Sequence, residues 1–337
     1  MTGIYIHIPF CKKACHYCNF HFSTSLLHKN EVISAIQKEI YHKSIDNNDV
    51  VSTIYFGGGT PSILDVFEIN LIIDKVYKYF KVHDDVEITI EVNPDDLSKQ
   101  KIIDFSETKV NRISIGVQSF IDKELKIMNR AHDSNKAMKS IELSKKYFNN
   151  ISIDLMYGVP ESTLESWDYN LDIITNFNIN HISAYALTVE PKTALESFIN
   201  KSIIKMPDEQ LVFDQFKLIN KKLKSRQFIN YEVCSFAKKD FTDLMVEYWD
   251  NNLNVIFTRK KDIRVAAAIV ELFRRRENIE IYNKKALYIM IREMADVKTQ
   301  YITKVVNQMK RIYKDMWIEY NKNGTVTASK EQKSKYF

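Results

Sequence analysis

Three thiols lie close together in the run Ile8-Pro9-Phe10-Cys11-Lys12-Lys13-Ala14-Cys15-His16-Tyr17-Cys18-Asn19-Phe20. Thiolates are the ligands of zinc and of iron–sulfur clusters, so Cys11, Cys15 and Cys18 point to a metal centre on one loop. A structural zinc site takes four ligands, usually as two close pairs. Here the second pair is missing, and only His16 or His21 stands nearby. A [4Fe-4S] cluster held by three cysteines leaves one iron without a protein thiolate, and a small molecule can coordinate there. The pattern favours such a cluster, with zinc as the alternative. Cys234 is far away in sequence, beside Phe236, and reads as a small buried hydrophobe. Four cysteines in a chain of this length exclude a disulfide scaffold.

Other residues suit a small-molecule pocket. Gly57-Gly58-Gly59-Thr60-Pro61 concentrates three of the chain's 7 glycines, which lets backbone amides and carbonyls approach a ligand closely. Glu91, in Glu91-Val92-Asn93-Pro94, offers a carboxylate that accepts hydrogen bonds from ribose hydroxyls. Gln118 ends the run Ser114-Ile115-Gly116-Val117-Gln118. Asp154 sits inside the apolar run Ile151 to Met156, where a charge requires a partner. Arg130, in Asn129-Arg130-Ala131-His132, suits a carboxylate held bidentately.

The elements behind these residues follow from periodicity. Short β-branched or aromatic runs recur at Ile4–Ile8, Thr53–Phe56, Glu87–Val92, Arg112–Val117, Ile151–Met156 and His181–Leu187. Between them, stretches such as Lys29–Lys43, Ile63–Tyr79, Asn135–Tyr147 and Asp208–Leu223 carry apolar residues at helical spacing. Strands joined by helices run parallel and wind right-handedly. About six such units fit before residue 230, and the chemistry-bearing residues fall just after the strands, where barrel sites lie. An open doubly wound sheet gathers ligands at one switch point instead. The reading is an α/β fold, a partial (β/α)6 TIM-type barrel over residues 1–237.

Residues 238–337 are richer in Lys, Arg and Met and read as a smaller, mainly helical domain with helical stretches Arg264–Arg276, Lys284–Met294 and Ile302–Met316. Trp317–Tyr320 and Thr325–Thr327 flank the turn Asn321–Gly324, which predicts a hairpin and a winged-helix-like end. A polar tail, Ser329–Phe337, follows. With 45% hydrophobic and 27% charged residues the chain is not disordered, and a net charge of +5 is too mild to argue for nucleic acid as main partner. No run approaches the roughly 20 apolar residues of a membrane span, and no secretory signal is evident, so the expectation is a cytoplasmic protein.

The cysteine spacing resembles the signature of the radical S-adenosylmethionine (SAM) superfamily, and Tyr17, the barrel rhythm and the glycine run strengthen the likeness. Tyr5-Ile6-His7-Ile8-Pro9-Phe10-Cys11, Gly57–Ser62, Glu91–Pro94, Ser114–Phe120, Asp154–Pro160 and Tyr185–Pro191 together resemble the oxygen-independent coproporphyrinogen III oxidase family, over about residues 3–240. The resemblance implies that Cys11, Cys15 and Cys18 hold the cluster, whose open iron chelates the amino and carboxylate groups of SAM. It places Tyr5, Tyr17, Gly58, Gly59, Thr60, Glu91, Gln118, Arg130 and Asp154 around SAM, leaving His7 a matching position without a role.

The family contains true oxidases and a heme-chaperone group. Oxidases usually carry a further cysteine two residues past the third, where this chain has Phe20, and Tyr231–Lys238 resembles the chaperone group. That group implies heme as a ligand, delivery to a respiratory heme-protein acceptor, and a cluster and SAM serving regulation or assembly. The enzyme alternative is radical oxidative decarboxylation of coproporphyrinogen III, with an electron donor such as flavodoxin; a zinc-stabilised binding module is the third reading. The chain departs from the family where Leu244-Met245 replace a His-Asn pair, and where Leu253–Lys260 replaces a glycine-rich segment.

Overall fold

A computed structural model describes residues 2–45, 47–275, 284–323 and 326. Six β-branched runs form parallel strands: β1 (Thr2–Ile8), β2 (Val50–Gly58), β3 (Lys81–Val92), β4 (Arg112–Gln118), β5 (Asn150–Tyr157) and β6 (His181–Ala186). They pair in sequence order, as consecutive strand–helix units with one handedness must. The crossovers are α1 (Lys29–Ser44), α2 (Val66–Tyr79), α3 (Lys99–Ser106), the pair α4 (Asp122–Ile127) and α5 (Ser134–Ser144), and α6 (Leu164–Asn176). After β6 come α7 (Ala194–Asn200) and α8 (Glu209–Ser225).

The helix starts are written locally. Ser98, Asp133, Thr163 and Asp208 each accept a hydrogen bond from a backbone N–H in the first turn of α3, α5, α6 and α8. Along the strands, residues alternate between two environments. Ile54, Phe56, Ile88, Ile90, Ile113, Ile115, Ile153 and Ile182 are buried in one core with Ile69, Ile73, Ile141, Trp167 and Leu171 from the helices. The intervening positions, Tyr55, Thr89, Glu91, Ser114, Asp154 and Ser183, form the polar inner face. Neighbours on this face bond across the strands: Tyr55 Oη donates to Glu91 Oε1 at 2.8 Å, and Ser114 Oγ to Asp154 at 3.2 Å.

The barrel is partial because β1 does not pair with β6. Instead a hairpin of β7 (Phe228–Glu232) and β8 (Ser235–Lys238) extends the sheet, with β8 antiparallel to β6. Cys234 lies between these strands, half-buried, its Sγ 3.8 Å from Glu232 Oε2. It is not the fully buried hydrophobe its apolar neighbours suggest.

The chain divides into two compact units, 1–238 and 239–337. In the second, the described elements are all helical: α9 (Phe241–Ile256), α10 (Lys260–Arg274), α11 (Lys284–Ala295) and α12 (Thr299–Asn323). Met245, Trp249 and Leu253 recur every four residues on α9 and share a core with Val265, Ile302, Val305, Met309, Ile312 and Met316. The expected hairpin at Trp317–Tyr320 is absent, because those residues continue α12. The apolar face of that helix runs on from Ile312 through Met316 to Tyr320, so tertiary burial outweighs the turn signal. The winged-helix-like reading falls with it; Thr325, Thr327 and the 329–337 tail lie outside the described residues. No helix among the described residues is long and apolar enough to cross a membrane.

Candidate cofactor site

The cysteine loop leaves β1 and is closed at its base by two backbone bonds: Cys11 N to Ser23 O at 3.0 Å, and Ser23 N to Pro9 O at 2.9 Å. Its middle is tied to distant elements. His16 N donates to Met128 O (3.1 Å) and Asn129 Nδ2 to Ala14 O (2.7 Å), while Leu195 N donates to His16 O (2.8 Å). Asn19 Nδ2 reaches Glu190 Oε2 beyond β6 at 2.9 Å. The loop thus spans the mouth of the barrel from its first strand to the segment after its sixth.

Beneath it the β2 glycines come close. Gly59 N and Thr60 N donate to Ile8 O (2.9 Å) and Phe10 O (2.7 Å). A Cβ on Gly59 would stand 2.7 Å from Phe10 O and 2.9 Å from Ile8 O, so only glycine lets the two backbones meet. Gly58 has φ +109°, and a Cβ there would enter the His7 ring, which gives His7 a part in packing the glycine turn.

A cavity of about 440 Å³ opens between this loop and the strand ends, within the range typical of small-molecule sites. Cys11, Cys15, Tyr17, Cys18, Gly58, Gly59, Thr60, Glu91, Gln118, Arg130 and Asp154 all line it. Tyr5 does not. It is exposed on β1, its ring stacked against Tyr55 at 6.1 Å, the tyrosine that donates to Glu91.

Arg130 organises one wall. Its Nη2 donates to Asn93 Oδ1 and Gly116 O, both at 2.7 Å, and its Nη1 to Cys15 Sγ at 3.3 Å. Its Nε is buried without a hydrogen-bond partner, a donor left open for an anionic group. Thr60 Oγ1 donates to Cys11 Sγ at 3.4 Å and accepts from Asn93 Nδ2 at 3.2 Å. Asn93 therefore links the glycine turn to Arg130; it stood inside the Glu91–Pro94 motif, but spacing alone did not reveal that role. Gly116 has a comparable part, since a Cβ there would stand 3.3 Å from Arg130 Nη2. Gln118 adopts φ 67°, a left-handed conformation for a residue with a side chain, of the kind that clusters at functional sites.

Burial dominates the electrostatics. It pushes the Cys11 and Cys18 thiols up, so a positively charged centre is needed to hold them as thiolates. It also pushes Glu91 up to about 7, with Asp154 adding repulsion, and Asp154 up to about 6.

The donor set fits an iron–sulfur cluster. Three thiols on one loop share one cavity.

The Radical SAM superfamily model matches residues 5–173. The chain is 32% identical over 256 residues to the heme chaperone HemW of Bacillus subtilis (strain 168), covering 74% of this chain and 68% of that one. It is also 32% identical over 255 residues to HemW of Escherichia coli (strain K12), covering 73% and 66%. It therefore spans about two thirds of the length of these relatives. Among solved structures, the radical SAM enzyme coproporphyrinogen III oxidase (HemN) of Escherichia coli superposes with a TM-score of 0.64 at 26% identity, covering 73% of this chain and 58% of that one.

Proposed function

The chain belongs to the radical SAM superfamily, and from that premise we propose that it is a cytoplasmic heme chaperone which binds a [4Fe-4S] cluster and SAM and carries heme to a respiratory heme protein. The observation that carries the choice within the family is Phe20. It lines the cavity where a further thiol distinguishes the oxidases, in a chain about one third identical to proteins named heme chaperone.

Cys11, Cys15 and Cys18 would hold the cluster, which when bound would supply an open iron for SAM and one electron for its cleavage. The protein supplies position and shielding. Thr60 and Arg130 donate to the ligand sulfurs of Cys11 and Cys15, stabilising negative charge there. The Gly57–Gly59 turn keeps side chains out of the approach to the SAM amino group, and Arg130 Nε is oriented by two strong bonds to Asn93 and Gly116. Glu91 accepts from ribose hydroxyls, anchored by Tyr55 and by the Gly58 backbone N–H. Oxidative decarboxylation of coproporphyrinogen III, with an electron donor such as flavodoxin, is the second reading, favoured by the likeness to HemN.

The deciding experiment is anaerobic. Cluster-reconstituted, reduced protein is given SAM with either coproporphyrinogen III or heme, and protoporphyrinogen formation and heme retention are followed together. Retained heme without decarboxylation is the expected result; decarboxylated product overturns it in favour of the oxidase.

A further inference from the structure

The hairpin that extends the sheet past β6 carries a pair of side chains with no part in the SAM pocket. Tyr231 Oη and His181 Nε2 are 2.6 Å apart, and Ser152 Oγ and His181 Nδ1 are 2.7 Å apart. His181 opens β6, Ser152 faces it directly across the β5–β6 pairing, and Tyr231 reaches it over the intervening strand β8. The reach depends on a β-bulge. Along β7, Asn230 pairs with Phe236 and Glu232 with Ser235, so Tyr231 is the extra residue that the ladder skips. Bulges of this kind re-aim a side chain, often beside functional sites.

The chemistry of the pair is specific. Burial and the nearby Arg112 push His181 down to about 4, so its ring is neutral at pH 7. For Nε2 to accept from Tyr231, Nδ1 must carry the ring proton and donate to Ser152 Oγ. A phenol held this way has its orientation fixed by a neutral hydrogen-bond acceptor and oxygen lone pairs to give elsewhere. Tyr231 is 59% exposed on the outermost strand of the sheet, and Ile229 and Val233 beside it are exposed apolar side chains. An exposed oxygen ligand amid exposed apolar surface suits a flat, apolar, oxygen-binding ferric centre, and phenolate is one of the protein ligands of heme iron.

We propose that Tyr231, its phenol oxygen positioned by the hydrogen bond to His181, is an axial ligand to ferric heme on the β7–β8 hairpin, an assignment that rests on the heme-chaperone reading. On ligation the Tyr231 O–H bond breaks and an O–Fe(III) bond forms. The proton passes to solvent, to which Tyr231 is 59% exposed, and a water or chloride leaves the iron; no electron is exchanged.

The test uses the full chain carrying its oxidised cluster, which is silent in electron paramagnetic resonance, titrated anaerobically with hemin. The wild type is expected to show a high-spin ferric signal and an iron–phenolate vibration in resonance Raman spectra. Tyr231→Phe should lose that vibration and bind hemin at least tenfold more weakly while loading the same amount of cluster iron. His181→Gln should keep the vibration and bind at least threefold more weakly, and Cys234→Ser should match the wild type. Wild-type affinity and spectrum in Tyr231→Phe, or loss of the signal in Cys234→Ser, overturns the ligand while leaving heme binding intact. Failure of the wild type to bind hemin overturns both the assignment and the reading beneath it.

Discussion

Replacing Glu91 with Gln should make the SAM-free protein more stable at pH 8 while weakening its hold on SAM. Burial raises the Glu91 carboxyl from an ordinary 4.5 to about 7, and Asp154 adds to the repulsion. A raised carboxyl binds its proton more tightly in the folded chain than in the unfolded one. Between about pH 4.5 and 7 the unfolded state therefore releases the proton first, and stability falls as pH rises through that window. At about 1.4 kcal/mol for each pH unit of separation, the penalty above pH 7 reaches about 3 kcal/mol. Glutamine removes the charge and keeps one oxygen to accept from Tyr55 Oη, which stands 2.8 Å from Glu91 Oε1, so any loss of the Gly58 N–H bond subtracts from the gain. On a domain of this size about 3 kcal/mol corresponds to a rise of roughly 6–12 °C in Tm. The SAM complex should respond oppositely, because charge-assisted acceptance from ribose hydroxyls is lost, weakening affinity by about tenfold. Anaerobic differential scanning fluorimetry of the cluster-loaded protein from pH 4.5 to 8 measures the first effect, and calorimetric titration with SAM the second. The Tm difference between variant and wild type should vanish near pH 4.5. A variant no more stable than wild type at pH 8, or one with unchanged SAM affinity, refutes the reasoning.

Cys15→Ala should abolish cluster assembly and Cys234→Ala should leave it intact, as iron content and visible absorbance after anaerobic reconstitution will show; a full cluster in the first variant sinks the ligand assignment. Gly59→Ala forces a methyl group against the carbonyls of Phe10 and Ile8, both backbone and unable to yield. It should lower stability by about 1–3 kcal/mol and reduce iron loading, read by thermal melting and iron per chain. Arg130→Met leaves Asn93 Oδ1 and Gly116 O without their donor and should cost about 3 kcal/mol in urea unfolding, with weaker SAM binding. Wild-type unfolding in that variant would remove Arg130 from the wall of the pocket.

Much of the barrel was legible in the sequence because its determinants are local. A strand buried on its helix-facing side must alternate, as Ile88, Ile90 and Val92 do around Thr89 and Glu91, and the helices between strands show their own period. Cysteine spacing is equally local, since the three thiols sit on one short loop. Arg130 illustrates the opposite case. It stands 115 residues from Cys15 and 37 from Asn93 in the chain, and only the turn after α4 brings its guanidinium between them. The β7–β8 hairpin was hidden for the same reason: its antiparallel pairing with β6 satisfies an edge that only the assembled sheet exposes. At Trp317–Tyr320 a local signal misled, because Asn321–Gly324 reads as a turn when taken alone, whereas the buried stripe on α12 rewards continuing the helix. Sequence by itself thus determined the strand–helix order and the cysteine loop, through short-range period and spacing. Tertiary structure alone decided which polar groups meet, because those contacts join residues whose proximity exists only once the sheet has curved and the loop has crossed its mouth.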